Sequence, residues 1–136
     1  MPKFSTRSTD NLDECHEDLV LLFTTIVEHY DCSVICGHRG ETEQRKAYDD
    51  GKSTLTWPKS KHNRWPAMAA DVTPYPLDWN DIGGMYLFAG WALCTADKLY
   101  REGKMTHRLR SGSDWDMDGK TVDQKFNDLV HFELIN

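Results

Sequence analysis

Residues 60–76 read SKHNRWPAMAADVTPYP, a polar loop that runs into a short apolar segment closed by prolines. The apolar part, residues 68–73, is typical of a buried strand, because a proline cannot donate to a continuing ladder of backbone hydrogen bonds. His62 stands in the loop and Asp71 in the strand. These two side chains are either a solvated loop residue and a turn former, or two ligands of one metal ion.

The length and composition favour one folded domain. The chain has 136 residues, of which 39% are hydrophobic and 28% are charged, with a net charge of -6. We therefore expect residues 1–136 to form a single globular domain. The acidic charge argues against a nucleic-acid partner. No apolar run approaches the roughly 20 residues that cross a bilayer, and the N-terminal residues lack the apolar centre of a signal peptide, so we expect a cytoplasmic product without stable membrane association.

The cysteines are predicted to be free thiols. Without a signal peptide, disulfides are disfavoured for Cys15, Cys32, Cys36 and Cys94. Cys32 and Cys36 lie in an apolar, β-branched run, where a buried thiol behaves as a small hydrophobic group. No second cysteine pair is present to complete a four-ligand zinc site.

The hydrophobic pattern predicts the order of elements along the chain. It indicates a helix over residues 11–30, a buried strand over 33–36, a polar helix over 41–50, a loop over 52–65, the strand over 68–73, a long apolar helix over 82–101, a strand over 107–110, a turn over 114–119 and a last strand over 130–135. This order predicts an α+β fold, in which a short antiparallel sheet packs with helices.

The C-terminal run FNDLVHFEL, residues 126–134, carries further candidate ligands. Successive side chains of a strand alternate between faces, so Phe132 would point to the core while His131 and Glu133 share the other face. A histidine placed here can bind a metal ion, with Asp128 beside the water on that ion. The alternatives are a solvated histidine in a terminal strand and an aspartate that merely ends an element.

Together these segments resemble the metal-dependent peptidoglycan peptidases of the D-alanyl-D-alanine carboxypeptidase group, and within it the bacteriophage endolysins that act as L-alanyl-D-glutamate peptidases. That family's signature is Ser-x-His, a gap, a small residue, x, Asp, and a distant Asp/Glu-x-x-His. It falls here on Ser60, His62, Ala69, Asp71, Asp128 and His131.

Two further segments extend the resemblance to about residues 33–136. CGHRGETEQ, at 36–44, resembles the family's Gly-x-Arg segment before a glutamine-bearing helix, and GSDWD, at 112–116, is similar to a run in the same group. The chain departs from the family in one place. The gap between His62 and Asp71 holds eight residues, where the common form is shorter and contains a glycine, which puts the loop's substrate contacts in doubt.

The resemblance implies a fold like that of the D-alanyl-D-alanine peptidases and hedgehog domains, and one zinc ion held by His62, Asp71 and His131. Three protein ligands with the fourth position left to water is the arrangement of a catalytic zinc rather than a structural one. Asp128 would accept the water's proton and later pass it to the leaving amine. Arg39 would hold a carboxylate or a developing oxyanion, or else form an ordinary surface ion pair.

Supporting roles are expected for two more residues. Ser60 would orient the loop or a ligand rather than attack, since an activated water leaves no need for a serine nucleophile. Glu133 is expected either to bond a ligand histidine or to lie on a solvated strand face.

The remaining histidines are less favoured as ligands. His38 is a weak alternative, because a third imidazole would have to displace Asp71. His38 and His107 are candidates for lining the cleft, and His16 and His29 are predicted surface residues.

Residues 114–119, DWDMDG, match the opening of a calcium-binding loop. Lys125 stands where the bidentate glutamate of such a loop belongs. The sequence therefore predicts an acidic turn, with Ca²⁺ as the disfavoured cofactor.

The sequence thus predicts a monomeric zinc endolysin that hydrolyses an amide bond in the peptide stem of peptidoglycan, at L-alanyl-D-glutamate. We expect no separate wall-binding domain, and action on the wall after the host membrane has been permeabilised. The alternatives are a D-Ala-D-Ala carboxypeptidase of cell-wall metabolism and a noncatalytic, zinc-containing wall-binding or virion module.

Overall fold

The computed structural model describes residues 2–121 and 128–136. In that part of the chain, the helices are α1 (Thr6–Asp13), α2 (Glu17–Val27), α3 (Glu41–Asp49) and α4 (Ile82–Arg101), and the strands are β1 (Cys32–Cys36), β2 (Ala69–Pro74), β3 (Arg108–Gly112) and β4 (Asp128–Ile135). A short 3₁₀ turn covers Lys61–Asn63. The strands form one antiparallel sheet in the order β1-β2-β4-β3. The predicted α+β class is confirmed.

The register of the two central strands positions predicted ligands side by side. Asp71 of β2 pairs with His131 of β4, and Ala70 pairs with Phe132. Side chains directly opposite each other across an antiparallel pair lie about 5 Å apart at Cβ. Asp71 and His131 therefore meet on one face of the sheet, while Phe132 enters the core on the other.

Helices α2 and α4 cover the core face of the sheet. The ring of Phe132 lies 5.5 Å from that of Phe23 on α2 and 6.0 Å from that of Phe88 on α4. All three rings are almost completely buried, and each contributes about 2–3 kcal/mol through loss of apolar surface to water. With the helices on this side, the opposite face of the sheet is left to form a cleft.

The single helix predicted over residues 11–30 is wrong: the chain breaks at residues 14–16 between α1 and α2. There the backbone pairs with a residue two positions before β2, since the Ala67 N–H donates to the Glu14 carbonyl and the His16 N–H donates to the Ala67 carbonyl. A new helix then begins, with His16 Nδ1 accepting from the Asp18 N–H. The apolar spacing hid this break because both helices bury side chains in the same core, Leu12 from α1 and Leu19 from α2.

Helix α4 has the predicted bounds, and its N-terminus is capped by the Asp81 side chain, which accepts from the Gly84 N–H. It buries one face in the core, whereas Leu87 and Trp91 on the outer face are 60% and 45% exposed. Within the described residues, none of the helices combines the length and the apolar character that a membrane crossing requires.

The four cysteines are free, as predicted. Cys15 and Cys32 are buried, Cys36 is half-buried and Cys94 is exposed. Burial raises the pKa of both the Cys15 and the Cys32 thiol to about 12. These two groups therefore stay protonated near neutral pH and act as packing groups.

Candidate active site

His62 is fixed by the 3₁₀ turn that carries it. The Ser60 hydroxyl accepts from the His62 N–H at 3.2 Å, and the Asn63 side chain accepts from the Ser60 N–H at 3.1 Å, which closes a reciprocal capping box. The ring is buried, and its Nδ1 lies 2.8 Å from the Gly37 carbonyl. Because a carbonyl only accepts, Nδ1 carries the proton in the neutral ring and Nε2 presents a lone pair.

In His131 it is the other ring nitrogen, Nε2, that faces a hydrogen-bond acceptor. Its Nε2 lies 2.8 Å from Oε1 of Glu133, two residues along the same face of β4. The carboxylate accepts from Nε2, so the neutral ring presents its lone pair at Nδ1.

The free nitrogens of the two rings and one oxygen of Asp71 converge. His62 Nε2 lies 3.2 Å from His131 Nδ1 and 3.2 Å from Asp71 Oδ1, and His131 Nδ1 lies 3.4 Å from the same oxygen. Zinc bonds to nitrogen and oxygen at about 2.0–2.1 Å with tetrahedral geometry, in which neighbouring ligand atoms lie about 3.3–3.4 Å apart. The spacing of these three donors therefore fits one zinc ion.

The electrostatics of this triad also favour a cation. Burial lowers the pKa of His62, but the Asp71 carboxylate outweighs burial and raises that pKa to about 10. The pKa of His131 is likewise raised, against its burial, by hydrogen bonds to Asp71 and Glu133. Burial opposes ionisation of Asp71, yet the two imidazoles hold its pKa far below the usual value. Without a metal ion the triad therefore favours a proton, and a bound cation would take the place of that proton between the two ring nitrogens and the Asp71 oxygen.

Glu133 joins His131 to two basic side chains. The Arg110 guanidinium donates to Glu133 Oε2 at 2.7 Å, and the Lys61 ammonium lies 3.5 Å from the same oxygen while also donating to the Leu134 carbonyl. Burial raises the pKa of Glu133, but hydrogen bonds from His131 and Arg110 outweigh it and lower the pKa to about 2. Glu133 therefore remains a carboxylate and holds His131 in one tautomer, rather than lying on a solvated face.

Asp128 begins β4 and lines the same cleft as the triad. Burial, and then the negative charge of Asp71, raise the pKa of Asp128 to about 6, although His131, His62 and Arg39 act in the other direction. A carboxylate with a pKa near the working pH suits a general base that must later act as an acid. Gly112 allows β3 to approach this strand end, because a Cβ there would stand 2.1 Å from the Asp128 carbonyl oxygen.

Arg39 points into the cleft rather than over the surface. Its guanidinium donates to Gln44 Oε1 at 2.9 Å and lies 3.5 Å from Asp71 Oδ2, and its side chain is 15% exposed. Asp71 thus faces the imidazoles with one oxygen and Arg39 with the other.

The cleft has a volume of about 1150 Å³. Its described lining includes Ser60, His62, Asp71, Asp128, His131, Glu133 and Arg39, so every predicted site residue reaches one place. The extra residues of the enlarged loop, Asn63 to Pro66, are not part of this lining, and Trp65 is 70% exposed.

Sequence reasoning assigned no role to Arg110, Lys61 or Trp115, which also line the cleft. The Trp115 ring lies 5.2 Å from that of His131, and the Arg110 guanidinium lies 5.6 Å from the centre of the Trp115 ring. Arg110 pairs directly with Glu133 in the sheet. Opposite charges in two predicted strands were the available signal, but the signal depends on a register that the sequence leaves open.

The other candidate histidines lie elsewhere. His38 packs its ring 5.1 Å from that of Trp65 and lies outside the triad. His107 Nδ1 lies 3.1 Å from Asp18 Oδ2, with His16 beside it, in a second His/Asp/His group. The expectation that His38 or His107 lines the cleft is wrong for the described lining.

The acidic turn over residues 114–119 is present. Three carboxylates lie close together in this turn, those of Asp114, Asp116 and Asp118. The two carboxylate oxygens of Asp114 accept from the backbone N–H groups of Asp118 and Gly119. Lys125, on which the case against calcium depends, lies outside the described residues.

The comparisons with known proteins show the family and the fold of the chain. The chain matches the family model for phage L-alanyl-D-glutamate peptidase over residues 1–135. The crystal structure of the L-Ala D-Glu endopeptidase ChiX of Serratia marcescens is similar, with a TM-score of 0.72 and 22% sequence identity, over 98% of this chain and 90% of that chain. At that identity the likeness shows a shared fold. No curated protein matches the sequence. The family match spans nearly the whole chain, and the protein belongs to the phage L-alanyl-D-glutamate peptidases, hydrolases that act on peptidoglycan.

Proposed function

We propose that this peptidase uses one zinc ion, held by His62, Asp71 and His131, and that Asp128 handles the protons of the reaction. The convergence of the triad carries the proposal: three lone-pair atoms lie 3.2–3.4 Å from one another, and each imidazole donates its only proton elsewhere. The neutral rings that a metal ion requires would leave nothing among these atoms to donate, so the site suits a cation.

The donor set supports zinc over harder ions. Two imidazoles and one carboxylate are a common catalytic zinc set, whereas calcium and magnesium prefer oxygen ligands throughout. The ligand residues lie on the wall of an open cleft, which leaves room for water and substrate. When bound, zinc polarises a carbonyl group and makes a water molecule more acidic.

The chain's own residues supply the proton transfers. Asp128 takes a proton from the attacking water, whose oxygen bonds to the alanyl carbonyl carbon. As the C–N bond breaks, Asp128 returns the proton to the departing nitrogen, so that alanine ends in a carboxylate and D-glutamate in a free amine. Arg39 donates hydrogen bonds toward the charge that develops on the carbonyl oxygen or toward a substrate carboxylate.

The supporting residues keep the ligands in place. Ser60 fixes the turn that carries His62, and Glu133 fixes the ring of His131. All these side chains lie on the strands of one sheet or on the loops that adjoin it. This arrangement supports a single catalytic domain that works as a monomer. Its place of action is the bacterial wall, which a protein made in the host cytoplasm reaches once the membrane is permeabilised.

Mass spectrometry of purified peptidoglycan treated with the zinc-loaded protein tests this function. We expect fragments with a new D-glutamyl amine and a new alanyl carboxylate. Loss of a terminal D-alanine would instead identify a carboxypeptidase, and binding without release of fragments would identify a noncatalytic module. Removal of the metal with a chelator should stop the release, and added zinc should restore it.

A further inference from the structure

We propose that Lys52 and Lys59 form a binding site for a free carboxylate of the stem peptide. This inference rests on the proposed function, because the ligand is a part of the same substrate. The two lysines line the cleft that contains the triad, on the wall formed by α3 and the loop after it.

The charge of the cleft differs from that of the whole chain. The sequence has 16 basic and 22 acidic residues. The described lining of the cleft contains six basic and five acidic residues. The basic ones are Arg39, Lys46, Lys52, Lys59, Lys61 and Arg110, and the acidic ones are Glu43, Asp50, Asp71, Asp128 and Glu133. An acidic protein therefore has a cleft that is weakly basic even before a metal ion adds its charge. Such a cleft favours an anionic ligand.

Most of these basic side chains are already neutralised by a partner. Lys46 lies 2.9 Å from Asp50, and Arg39 lies 3.5 Å from Asp71. Lys61 and Arg110 share Glu133. For Lys52 and Lys59, by contrast, no carboxylate among the described residues lies within ion-pairing distance, and the nearby charge of Lys52 only adds to that of Lys46 in lowering the pKa of Asp50.

The loop that carries both lysines is tied to the catalytic side of the cleft. Gln44 is fully buried, and its amide group donates to Ser53 Oγ at 3.0 Å and to the Leu55 carbonyl at 2.7 Å. The carbonyl oxygen of the same side chain accepts from Arg39, which lies beside Asp71. One buried residue thus sets the position of the lysine loop relative to the triad, which lowers the entropy cost of holding a ligand between them.

The substrate has the complementary charge. Glutamic acid has two carboxyl groups, and a stem that continues through one of them leaves the other free. A lysine ammonium is a mobile, hydrated point charge that suits contact with such a group in an open cleft. On this wall of the cleft Lys46 and Asp50 cancel each other as an ion pair, and Glu43 offsets one of the two remaining lysines. The wall therefore keeps a net charge of one positive unit.

Peptides with and without the charge test the proposal. The zinc-loaded wild type and the variants Lys52→Gln, Lys59→Gln and the double variant are compared on three stem peptides: the free acid, one amidated at the D-glutamyl carboxyl, and one amidated at the carboxyl of the next residue. Lys98→Gln is the matched control, since Lys98 is exposed on α4 and outside the cleft lining.

We expect each cleft variant to lower kcat/KM on the free acid by up to about fivefold, mainly through KM. The wild type should discriminate against one of the two amides, which identifies the carboxylate that is bound, and the double variant should lose that discrimination. Lys98→Gln should match the wild type.

Equal cleavage of all three peptides by the wild type overturns the proposal. So does a loss in the lysine variants that is the same on every peptide, because such a loss does not depend on the substrate charge. Failure of the wild type to cut any of the three overturns the proposed function as well, and that result is distinct from the first two.

Discussion

The Nε2 atom of His62 lies 3.2 Å from the Nδ1 atom of His131, so the two rings present chemically different nitrogens to the same point. The difference arises because each ring gives its other nitrogen to a fixed acceptor, the Gly37 carbonyl for His62 and the Glu133 carboxylate for His131. Both ring orientations are therefore set before any metal binds, and metal binding needs loss of a proton but little movement of the side chains.

Replacement of Asp71 by asparagine should remove zinc binding. The variant keeps the shape of the side chain but loses the negative charge that holds the two imidazoles together. We expect the zinc affinity to fall by more than about 100-fold. Loss of a residue that only hydrogen-bonds to a metal ligand costs about 10–100-fold, and loss of a ligand should cost more. Competition with a chromogenic chelator measures this, with Asp97→Asn, an exposed change on α4, as the control. Full zinc occupancy in Asp71→Asn after dialysis against the chelator would contradict the ligand assignment.

Replacement of Asp128 by asparagine should separate metal binding from catalysis. Asp128 is not among the converging donor atoms, so the variant should keep its zinc. Loss of the group that moves the protons should lower kcat by about 10²–10⁴-fold. Zinc content and peptide cleavage are measured on the same preparation, and a variant that binds zinc and cleaves normally would remove Asp128 from the mechanism.

The ionisation of Asp128 should be visible in the metal-free protein. Its pKa is raised to about 6 by burial and by Asp71, so its carboxyl should titrate about two pH units above an ordinary aspartate. Only the ionised form accepts a proton, so kcat/KM should fall as the pH drops through the pKa of this group. Bound zinc adds positive charge nearby and should lower that pKa. Carbon-13 NMR of the carboxyl groups follows the titration, and a midpoint near 4 without metal would show that Asp128 is not perturbed.

The sequence predicted which side chains meet in the cleft better than it predicted their surroundings. The resemblance to the peptidase family, through its Ser-x-His and Asp-x-x-His spacings, led us to expect His62, Asp71 and His131 in one place, and the alternation of side chains along a strand put His131 and Glu133 on one face. The bounds of α4 were also predicted, since its apolar run and its Asp81 cap are local signals. The break at residues 14–16 was missed because it depends on a bridge to Ala67, more than fifty residues away. The link from Arg110 to Glu133 was missed for the same reason.

Replacement of Glu133 by glutamine should weaken zinc binding without removing a ligand. A neutral amide keeps the volume but no longer gives His131 Nε2 a charged acceptor, and Arg110 loses its ion-pair partner. We expect an affinity about 10–100-fold lower. Nitrogen-15 NMR of the His131 ring should also show a mixture of tautomers in place of one. An unchanged affinity together with an unchanged ring signal would reduce Glu133 to a packing residue.

The last prediction concerns stability and lies away from the cleft. Asp18 is 3% exposed. Its Oδ2 accepts from the Thr106 N–H and hydroxyl, both at 3.0 Å, and from the His107 N–H at 2.9 Å. Burial raises the pKa of Asp18, but the hydrogen bonds from Thr106 and His107 outweigh burial and lower the pKa below its ordinary value. The folded state therefore favours the carboxylate, which ties the start of α2 to the segment before β3.

Because the folded pKa lies below the unfolded one, the stabilisation from Asp18 is complete above about pH 4 and disappears as the pH falls through the folded pKa. Asp18→Asn should lower the free energy of unfolding by about 2 kcal/mol near pH 7, through loss of charge-assisted hydrogen bonds. The difference from wild type should shrink near pH 3, where the unfolded wild-type chain has already taken up the proton at its ordinary pKa of about 4. Urea denaturation of the metal-free proteins measures both values, and Asp10→Asn, an exposed change on α1, should cost less than about 0.5 kcal/mol. An equal loss at both pH values would mean that the charge of Asp18 contributes nothing and that only its shape matters.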